Sequence, residues 1–228
     1  MWLFSEYLYL WGSVAGFFIF LFIFIKRKDL RNRMLTAGIA IGIIGILSES
    51  VFFQDYWNPP LIFRFGKFGG IEDFLFGLAF GGIGVVIYDV IFHKKLRRSF
   101  HPQTWIIPTV ILSELISVYI FFHLLEVNSI YASAIGFMFP VITILLIRND
   151  LIFETFFSAI LAGLLLVFVE IFMLLFAPTY LEKYFLLHGQ VLLIFGIAPL
   201  TELIWGICFG ALVGPLYDFK QGTRPIHL

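Results

Sequence analysis

Seven long apolar segments make up most of this chain, and they constrain its fold more than any other feature. About 20 apolar residues cross a bilayer as an α-helix, and each segment meets or approaches that length. The segments lie at 7–25, 34–54, 71–92, 104–122, 129–147, 151–176 and 190–217. Their length and their lack of polar alternation favour helices over barrel strands. We therefore predict an all-α integral membrane protein that crosses the cell membrane in seven passes.

The composition agrees with a membrane location. The chain is 61% hydrophobic and 13% charged, whereas a soluble domain is nearer one half apolar and one quarter charged. Its zero net charge argues against nucleic acid as a partner and leaves the lipid bilayer as the expected one. The single cysteine excludes an intramolecular disulfide, and the oligomeric state stays open.

The basic residues predict the orientation of the chain. Of the 15 Lys and Arg residues, 12 follow segments 1, 3, 5 and 7, and only Arg64, Lys67 and Lys183 lie on the opposite side. Basic residues concentrate on the cytoplasmic side of membrane proteins. The N-terminus is therefore predicted to lie outside and the C-terminus in the cytoplasm, which agrees with an odd number of crossings.

One acidic motif occurs twice. Residues 70–77 (GIEDFLFG) are echoed 129 positions later by 199–206 (PLTELIWG), and Phe80-Gly81 is echoed by Phe209-Gly210. This spacing indicates a parallel 3+1+3 tandem repeat within one membrane domain at 1–228. The halves are predicted at 1–100 and 126–228, with a connector helix at 101–125.

Six carboxylates are predicted to share the outer half of the membrane. A charged side chain facing lipid costs about 2.5–3.5 kcal/mol on insertion scales, so the bundle interior is the cheaper location. There, burial and mutual repulsion should keep some of these acids protonated or sharing a proton. Catalysis by proton transfer and plain helix bridging both fit such a pattern. The six predicted site residues are Glu49, Glu72, Asp73, Glu114, Glu170 and Glu202.

Two of the acidic helices are predicted to begin at the motifs themselves. Proline is tolerated best in the first turn of a helix. Pro199 therefore predicts a break at 196–199 and places Glu202 in a first turn, and Gly69-Gly70 does the same for Glu72.

Five aromatic residues near the acids are predicted to bind substrate: Trp57, Phe76, Phe80, Trp205 and Phe209. Aromatic faces attract cations, although ordinary packing explains the same residues. The histidines lack ligand spacing, so no metal is predicted. The chain carries no glycine-rich nucleotide fingerprint, so no cofactor is predicted.

The acidic motifs resemble those of the lycopene cyclase domain family. That family carries Pro-x-Glu-Glu-x-x-Phe-Phe once per half, after a Trp-x-x-Asn-Pro-like loop. The first half here has Glu72, Asp73 and Phe76 in the motif after Trp57-Asn58-Pro59, with glycine at both ends. The second half keeps Pro199 and Glu202, and replaces the first acid by Thr201 and the first Phe by Trp205.

The resemblance implies proton-initiated, non-redox cyclisation of the end groups of a linear carotene. An acid would protonate the terminal alkene, a six-membered ring would close, and a base would remove a proton. Glu72, Asp73 and Glu202 would be acid and base, with Glu49, Glu114 and Glu170 in support. The same family pattern extends to hydratases, so a hydrated product stays open.

Two other functions fit the residues alone. The first is a non-catalytic seven-helix protein that binds an apolar ligand or conducts protons through buried carboxylates. The second is an assembly protein whose acids only bridge helices. A retinal pigment is disfavoured because segment 7 has no lysine.

Overall fold

Helices dominate the computed structural model, which describes residues 7–226, apart from the side chains of 95–96 and 224–226. Nine α-helices occur in these residues: α1 Leu8–Lys26, α2 Arg31–Asp55, α3 Ile71–Gly84, α4 Ile87–Ile91, α5 Ile106–Ser117, α6 Ser129–Ile147, α7 Ile152–Leu174, α8 Tyr180–Tyr184 and α9 Leu200–Gln221. Short 3-10 turns lead into α2 and α7, and a π-helical segment at Val118–Leu124 continues α5.

Two small antiparallel sheets accompany the helices. Strand β1 (Lys95–Arg98) pairs with β4 (Thr223–Ile226), and β2 (Leu193–Ile194) pairs with β3 (Ala198–Pro199). Gly196 has a φ of 71° and lies between β2 and β3. Glycine adopts this left-handed backbone without steric cost, which permits the tight reversal.

Six stretches of the described chain are long and apolar enough to cross a membrane, which makes this a multi-pass membrane protein by composition. Large apolar side chains such as Phe18, Leu115 and Leu146 remain exposed on them, as lipid-facing residues do. The six stretches are Leu8–Lys26, Lys28–Asp55, Ile106–Leu124, Ser129–Ile147, Asn149–Leu174 and Leu200–Gln221.

The segment 71–92 was predicted as one helix, but it forms two shorter helices. Helix α3 ends at Gly84 and α4 begins at Ile87, and Val86 between them has a φ of −128° and a ψ of 0°. Glycine is a poor residue for a helix interior, and α3 ends with Gly81, Gly82 and Gly84. Hydropathy alone does not detect such a break, because the segment is apolar throughout.

The last apolar segment is shorter than predicted. Its helix begins at Leu200 rather than at 190, and residues 190–199 form the β2–β3 hairpin and its approach. The predicted break at 196–199 is thus confirmed, and so is the helix start after Gly70. Glu72, Asp73 and Glu202 lie in first turns.

The chain divides into two compact units. Unit 1 comprises Met1–Ile83 and Leu165–Glu202, and unit 2 comprises Gly84–Leu164 and Leu203–Leu228. Each unit therefore draws residues from both predicted repeat halves. Unit 1 has a buried apolar cluster around Leu8, Met173 and Tyr180, and unit 2 has a larger one around Ile144, Leu212 and Phe219.

Glycines let helices α2 and α3 approach closely inside unit 1. A Cβ atom placed on Gly77 would lie 2.7 Å from the Gly42 Cα, and one on Gly42 would lie 2.9 Å from the Phe74 ring. Both distances are below ordinary contact, so neither position accepts a side chain without a shift. This close packing sets the first turn of α3 beside the end of α2 that carries Glu49.

Candidate active site

Asp73 accepts two hydrogen bonds at the start of α3. Its Oδ2 accepts the Gly70 backbone N–H at 2.5 Å, and its Oδ1 accepts the Tyr9 hydroxyl from α1 at 2.8 Å. The first bond is the reach-back contact of a capping box, which satisfies a backbone donor that no helical carbonyl can reach. Both oxygens of Asp73 are thereby engaged, and the side chain is only 1% exposed.

Glu72 is buried more completely and is engaged on one side only. Its Oε1 accepts the backbone N–H of Ile62 at 2.6 Å. Its Oε2 is shielded from solvent and has no hydrogen-bond partner among residues 7–226. The two oxygens of Glu72 therefore have different surroundings, one bonded to a backbone N–H group and the other unpaired among the described residues.

Glu49 lies next to Asp73, near the C-terminal end of α2. Gly69 separates them, since a Cβ atom on Gly69 would meet the Asp73 carboxyl group and would lie 2.9 Å from Glu49 Cγ. The backbone N–H of Gly69 donates to the Ile46 carbonyl at 2.8 Å, which ties this turn to α2. Glu49 Oε2 accepts the indole N–H of Trp57 at 3.0 Å.

Glu202 and Glu170 are the other two predicted site acids in unit 1. The Tyr56 hydroxyl donates to Glu202 Oε1 and lies 3.4 Å from the Thr201 hydroxyl. Glu170 lies within Coulombic range of Glu202. Glu170 Oε2 is shielded from solvent and lacks a hydrogen-bond partner in the described part of the chain.

Tyr56 and Trp57 are adjacent in the sequence and donate hydrogen bonds to two different acids, Glu202 and Glu49. The Leu186 N–H donates to the Tyr56 carbonyl at 2.8 Å, and the Asn58 N–H donates to the Tyr184 carbonyl at 2.8 Å. These backbone bonds hold the corner that follows α2 against the segment after α8. Two rings on successive residues are thus directed toward Glu202 and Glu49.

The predicted aromatic residues of unit 1 adjoin these acids. The Tyr9 ring meets the Trp57 ring edge to face at 4.5 Å and lies 6.0 Å from the Phe76 ring. Phe76 stacks on Phe80 at 5.5 Å with an angle of 16°. Trp57 was predicted to bind substrate, and its hydrogen bond to Glu49 places it among the acids.

The other two predicted aromatic residues lie in unit 2. Trp205 stacks on Phe209 at 5.1 Å with an angle of 13°, and Phe137 meets both edge-on. The Trp205 indole N–H donates to the Ser133 hydroxyl at 2.8 Å. This pair therefore has its own partners on α6.

Glu114 also belongs to unit 2. Its carboxyl atoms lie 2.8–2.9 Å from the position that a Cβ atom on Gly136 would take, so α6 offers it a groove that only glycine leaves open. Its Oε1 is shielded and has no hydrogen-bond partner among residues 7–226. The structure thus brings five of the six predicted acids together in unit 1, the acid cluster: Glu49, Glu72, Asp73, Glu170 and Glu202.

Tyr9 and Tyr56 are the site residues that the sequence did not indicate. The phenol of Tyr9 is 64 positions from Asp73 along the chain, and that of Tyr56 is 146 positions from Glu202. Both stand in apolar or aromatic surroundings where a tyrosine is unremarkable. The one available signal was the pairing of Tyr56 with Trp57 directly before Asn58-Pro59.

The acid cluster has the chemistry of a proton-transfer site. None of its five members forms a salt bridge with another of residues 7–226. The donors that contact them are tyrosine, tryptophan and backbone N–H groups. No group of three or more His, Cys, Asp or Glu side chains in these residues is arranged to hold a metal ion. Acids that differ in hydrogen bonding differ in how readily they give or take a proton.

Comparison of the chain with protein-family models, curated proteins and solved structures found no match. The fold and the site therefore define its class by themselves. It is a multi-pass helical membrane protein with a buried carboxylate cluster lined by tyrosine and tryptophan.

Proposed function

We propose that this protein is a carotenoid-modifying membrane enzyme that cyclises the end groups of a linear carotene by proton transfer, without net redox change. The observation that carries the proposal is the acid cluster, in which fully buried Glu72 stands beside Asp73 with contrasting hydrogen bonds. A site that protonates an alkene and later deprotonates a carbocation needs one acid and one base close together. Glu72, Asp73 and Glu202 supply these groups.

The surroundings of the acids fit an apolar substrate. The rings of Tyr9, Trp57 and Phe76 are in contact next to Asp73 and Glu49. Aromatic faces stabilise a cation in a dry environment without supplying a nucleophile that would trap it. A linear carotene reaches such a site from the bilayer, in which it is already dissolved.

The proposal includes a tandem repeat with seven crossings, an outside N-terminus and a cytoplasmic C-terminus. In it, α3 and α4 together form the third crossing. Matched glycine contacts support the repeat. Gly42 of α2 packs on Phe74 of α3, and Gly163 of α7 packs on Leu203 of α9. The two acids Glu49 and Glu170 follow these glycines at the same distance along the chain.

Expression in a host that accumulates lycopene tests the function directly. We expect a ring-bearing carotene from the unaltered chain and its loss in Glu72→Gln and Glu202→Gln. Glu182→Gln is the matched control, because Glu182 is an exposed acid on α8. Chromatography and mass spectrometry distinguish a ringed product, which keeps the mass of lycopene, from a hydrated one.

Two outcomes would overturn this proposal. If no carotene changes while reconstituted vesicles show a proton flux that requires Glu72, the protein conducts protons. If neither assay responds and Glu72→Gln only lowers the melting temperature, the acids bridge helices. The first of these alternatives uses the same acid cluster, so both assays belong in one experiment.

A further inference from the structure

Two loops of unit 1 expose large apolar side chains outside the six apolar stretches. Loop A comprises residues 61–68 and precedes α3, and its Phe63 is 57% exposed. Loop B comprises residues 191–197 and precedes α9, and its Leu192 and Phe195 are 75% and 88% exposed. Loops that face water are normally polar, and exposed apolar patches mark sites of interaction. We therefore expect both loops to contact a partner outside the chain.

The tip of loop B holds a phenylalanine in a backbone conformation that favours glycine. Phe195 has a φ of 51°, and Gly196 after it has a φ of 71°. A bulky residue is strained in this left-handed region. Because most of the Phe195 ring is exposed, packing within the chain does little to offset this strain. The conformation thus presents the ring outward, away from the rest of unit 1.

The backbone of loop B is hydrogen-bonded within the chain around this tip. Strands β2 and β3 pair with each other, and the Ile197 N–H donates to the Ile194 carbonyl at 3.0 Å. The Leu200 N–H donates to the Leu192 carbonyl at 2.8 Å, which ties the hairpin to the start of α9. Backbone polar groups that enter a bilayer must be satisfied internally. Loop B meets this condition through its hairpin.

The backbone of loop A is bonded in a similar way. The Phe65 N–H donates to the Gly69 carbonyl at 3.0 Å, and the Phe68 N–H donates to the Phe65 carbonyl at 3.1 Å. The Ile62 N–H donates to Glu72 Oε1 at 2.6 Å. The exposed side chain of Ile62 therefore belongs to a residue whose backbone contacts the acid cluster.

Loop A also carries two exposed cations, Arg64 and Lys67. Neither forms a salt bridge with a carboxylate among residues 7–226. The Arg64 guanidinium lies over the Phe53 ring at 4.0 Å from its centroid, within Coulombic range of Glu49. Loop A itself contains no Asp or Glu. Apolar rings beside Lys and Arg are typical of segments that lie in the membrane interface, where the cations meet lipid phosphates.

We propose that loops A and B form a lipid-binding surface that inserts into the phospholipid leaflet next to the acid cluster. Phe63 and Phe195 enter the boundary between headgroups and acyl chains. Arg64 and Lys67 contact the phosphates. The corner at 56–58 is hydrogen-bonded to 184–186, so the segments that lead into the two loops lie side by side. The inference does not depend on cyclisation, although the same surface would admit a carotene from the bilayer.

Nitroxide labels on the full chain in vesicles of phosphatidylcholine and phosphatidylglycerol test the insertion. Cys208→Ala removes the one native thiol, and single labels follow in Phe63→Cys, Lys67→Cys and Phe195→Cys. Oxygen concentrates among acyl chains and a water-soluble nickel chelate in water, so their relative effects on relaxation give the depth of each label. We expect the labels at 63 and 195 to lie about 5–10 Å into the headgroup–acyl boundary. The label at 67 should lie near the phosphates, and a label in Glu182→Cys, at an exposed acid of α8, should lie in water.

Three results of the labelling would contradict the proposal. Labels at 63 and 195 that are as accessible to the nickel chelate as the label at 182 would overturn insertion. Protection from both reagents, with spin–spin broadening between copies, would show that a second copy of the chain covers the surface instead. A label at 67 in bulk water would overturn the phosphate contact. The measurement needs no carotene, so its result and that of the cyclisation assay are independent.

Phe195→Gly separates lipid binding from folding. Glycine adopts the left-handed backbone without steric cost, so this change should not lower the melting temperature in detergent. Phe185→Ala is the comparison, because the Phe185 ring is buried and packs edge-on against Tyr56 at 5.1 Å. Its removal leaves a cavity and should lower the melting temperature. A similar decrease in the two variants would show that Phe195 supports the fold, and would overturn its assignment to lipid.

Discussion

The helices that carry the two copies of the acidic motif begin in different ways. The second acidic position of the motif is Asp73 in the first copy and Glu202 in the second. At residues 70–77, Gly70 precedes the helix and Asp73 caps it by accepting the Gly70 N–H at 2.5 Å. At 199–206, Pro199 precedes the helix, lacks an N–H group, and needs no such cap. One oxygen of Asp73 thus accepts a hydrogen bond from the start of its own helix. Glu202 is half-buried and accepts a hydrogen bond from Tyr56 instead.

The comparison explains how the second copy can do without a first acid. The first copy holds a fully buried Glu72 with one unpartnered oxygen, and the second has Thr201 in its place, near the Tyr56 hydroxyl. Under the proposed function, the acid that starts the reaction is in the first copy. The second contributes a base and a packed hydroxyl.

The aromatic residues after the two motifs differ less. Phe76–Phe80 and Trp205–Phe209 are both stacked pairs four residues apart, at 5.5 and 5.1 Å. Residues four apart share one helix face, so each helix sets this geometry by itself. Partners differ: Phe76 meets Tyr9, which bonds to Asp73, whereas Trp205 bonds to Ser133. The two stacked pairs therefore have similar local geometry but different neighbouring residues.

The largest expected loss of activity is at the first acidic position of the motif, which is Glu72 in the first copy and Thr201 in the second. Glu72→Gln should lower ring formation by about 100-fold or more, since general acid catalysis contributes at least that much. The carotene product per amount of folded protein is the measurement. An effect no larger than that of the exposed Glu182→Gln would contradict the role of Glu72.

The next effect concerns helix packing beside the first copy. Gly77→Ala should destabilise the fold by about 1–3 kcal/mol, because its Cβ would lie 2.7 Å from the Gly42 backbone. Gly84→Ala is the control, since its Cβ would find its nearest neighbour at 3.4 Å. Gly163→Ala should cost less than Gly77→Ala, because its closest contact would be the Ile207 side chain at 2.8 Å rather than a backbone atom at 2.7 Å. Thermal unfolding in detergent compares the three, and equal melting temperatures would disprove the close approach.

A smaller loss of activity is expected when Trp57, whose indole N–H donates to Glu49, is replaced. Trp57→Phe removes the N–H donor at 3.0 Å but keeps an aromatic ring, so ring formation should fall about three- to tenfold. Trp105→Phe provides the comparison, since Trp105 is exposed and donates only to Gln103. Identical turnover in the two variants would show that Glu49 does not depend on Trp57.

The smallest effect tests whether the second copy uses its hydroxyl. Thr201→Val keeps the shape of a buried side chain and removes a contact of 3.4 Å, which is long for a hydrogen bond between hydroxyls. We expect less than a twofold change in turnover. A loss comparable to that of Glu72→Gln would mean that Thr201 substitutes for the missing acid.

The sequence by itself determined the membrane class and the positions of the acids on their helices. Apolar length specifies a spanning helix because backbone polar groups must be satisfied within the segment. Pro199 and Gly70 specified where α9 and α3 begin, and thereby placed Glu202, Glu72 and Asp73 in first turns. These features depend on neighbours along the chain, so a local pattern is sufficient to predict them.

Tertiary structure decided which groups meet the acids. Tyr9 reaches Asp73 across 64 positions and Tyr56 reaches Glu202 across 146, and no local pattern encodes either contact. The placement of Glu114 in the other unit, and the break before Ile87 in an apolar segment, were equally hidden from hydropathy. Hydrogen bonding between distant segments depends on how helices pack, and packing is set by the side-chain shapes of the whole chain.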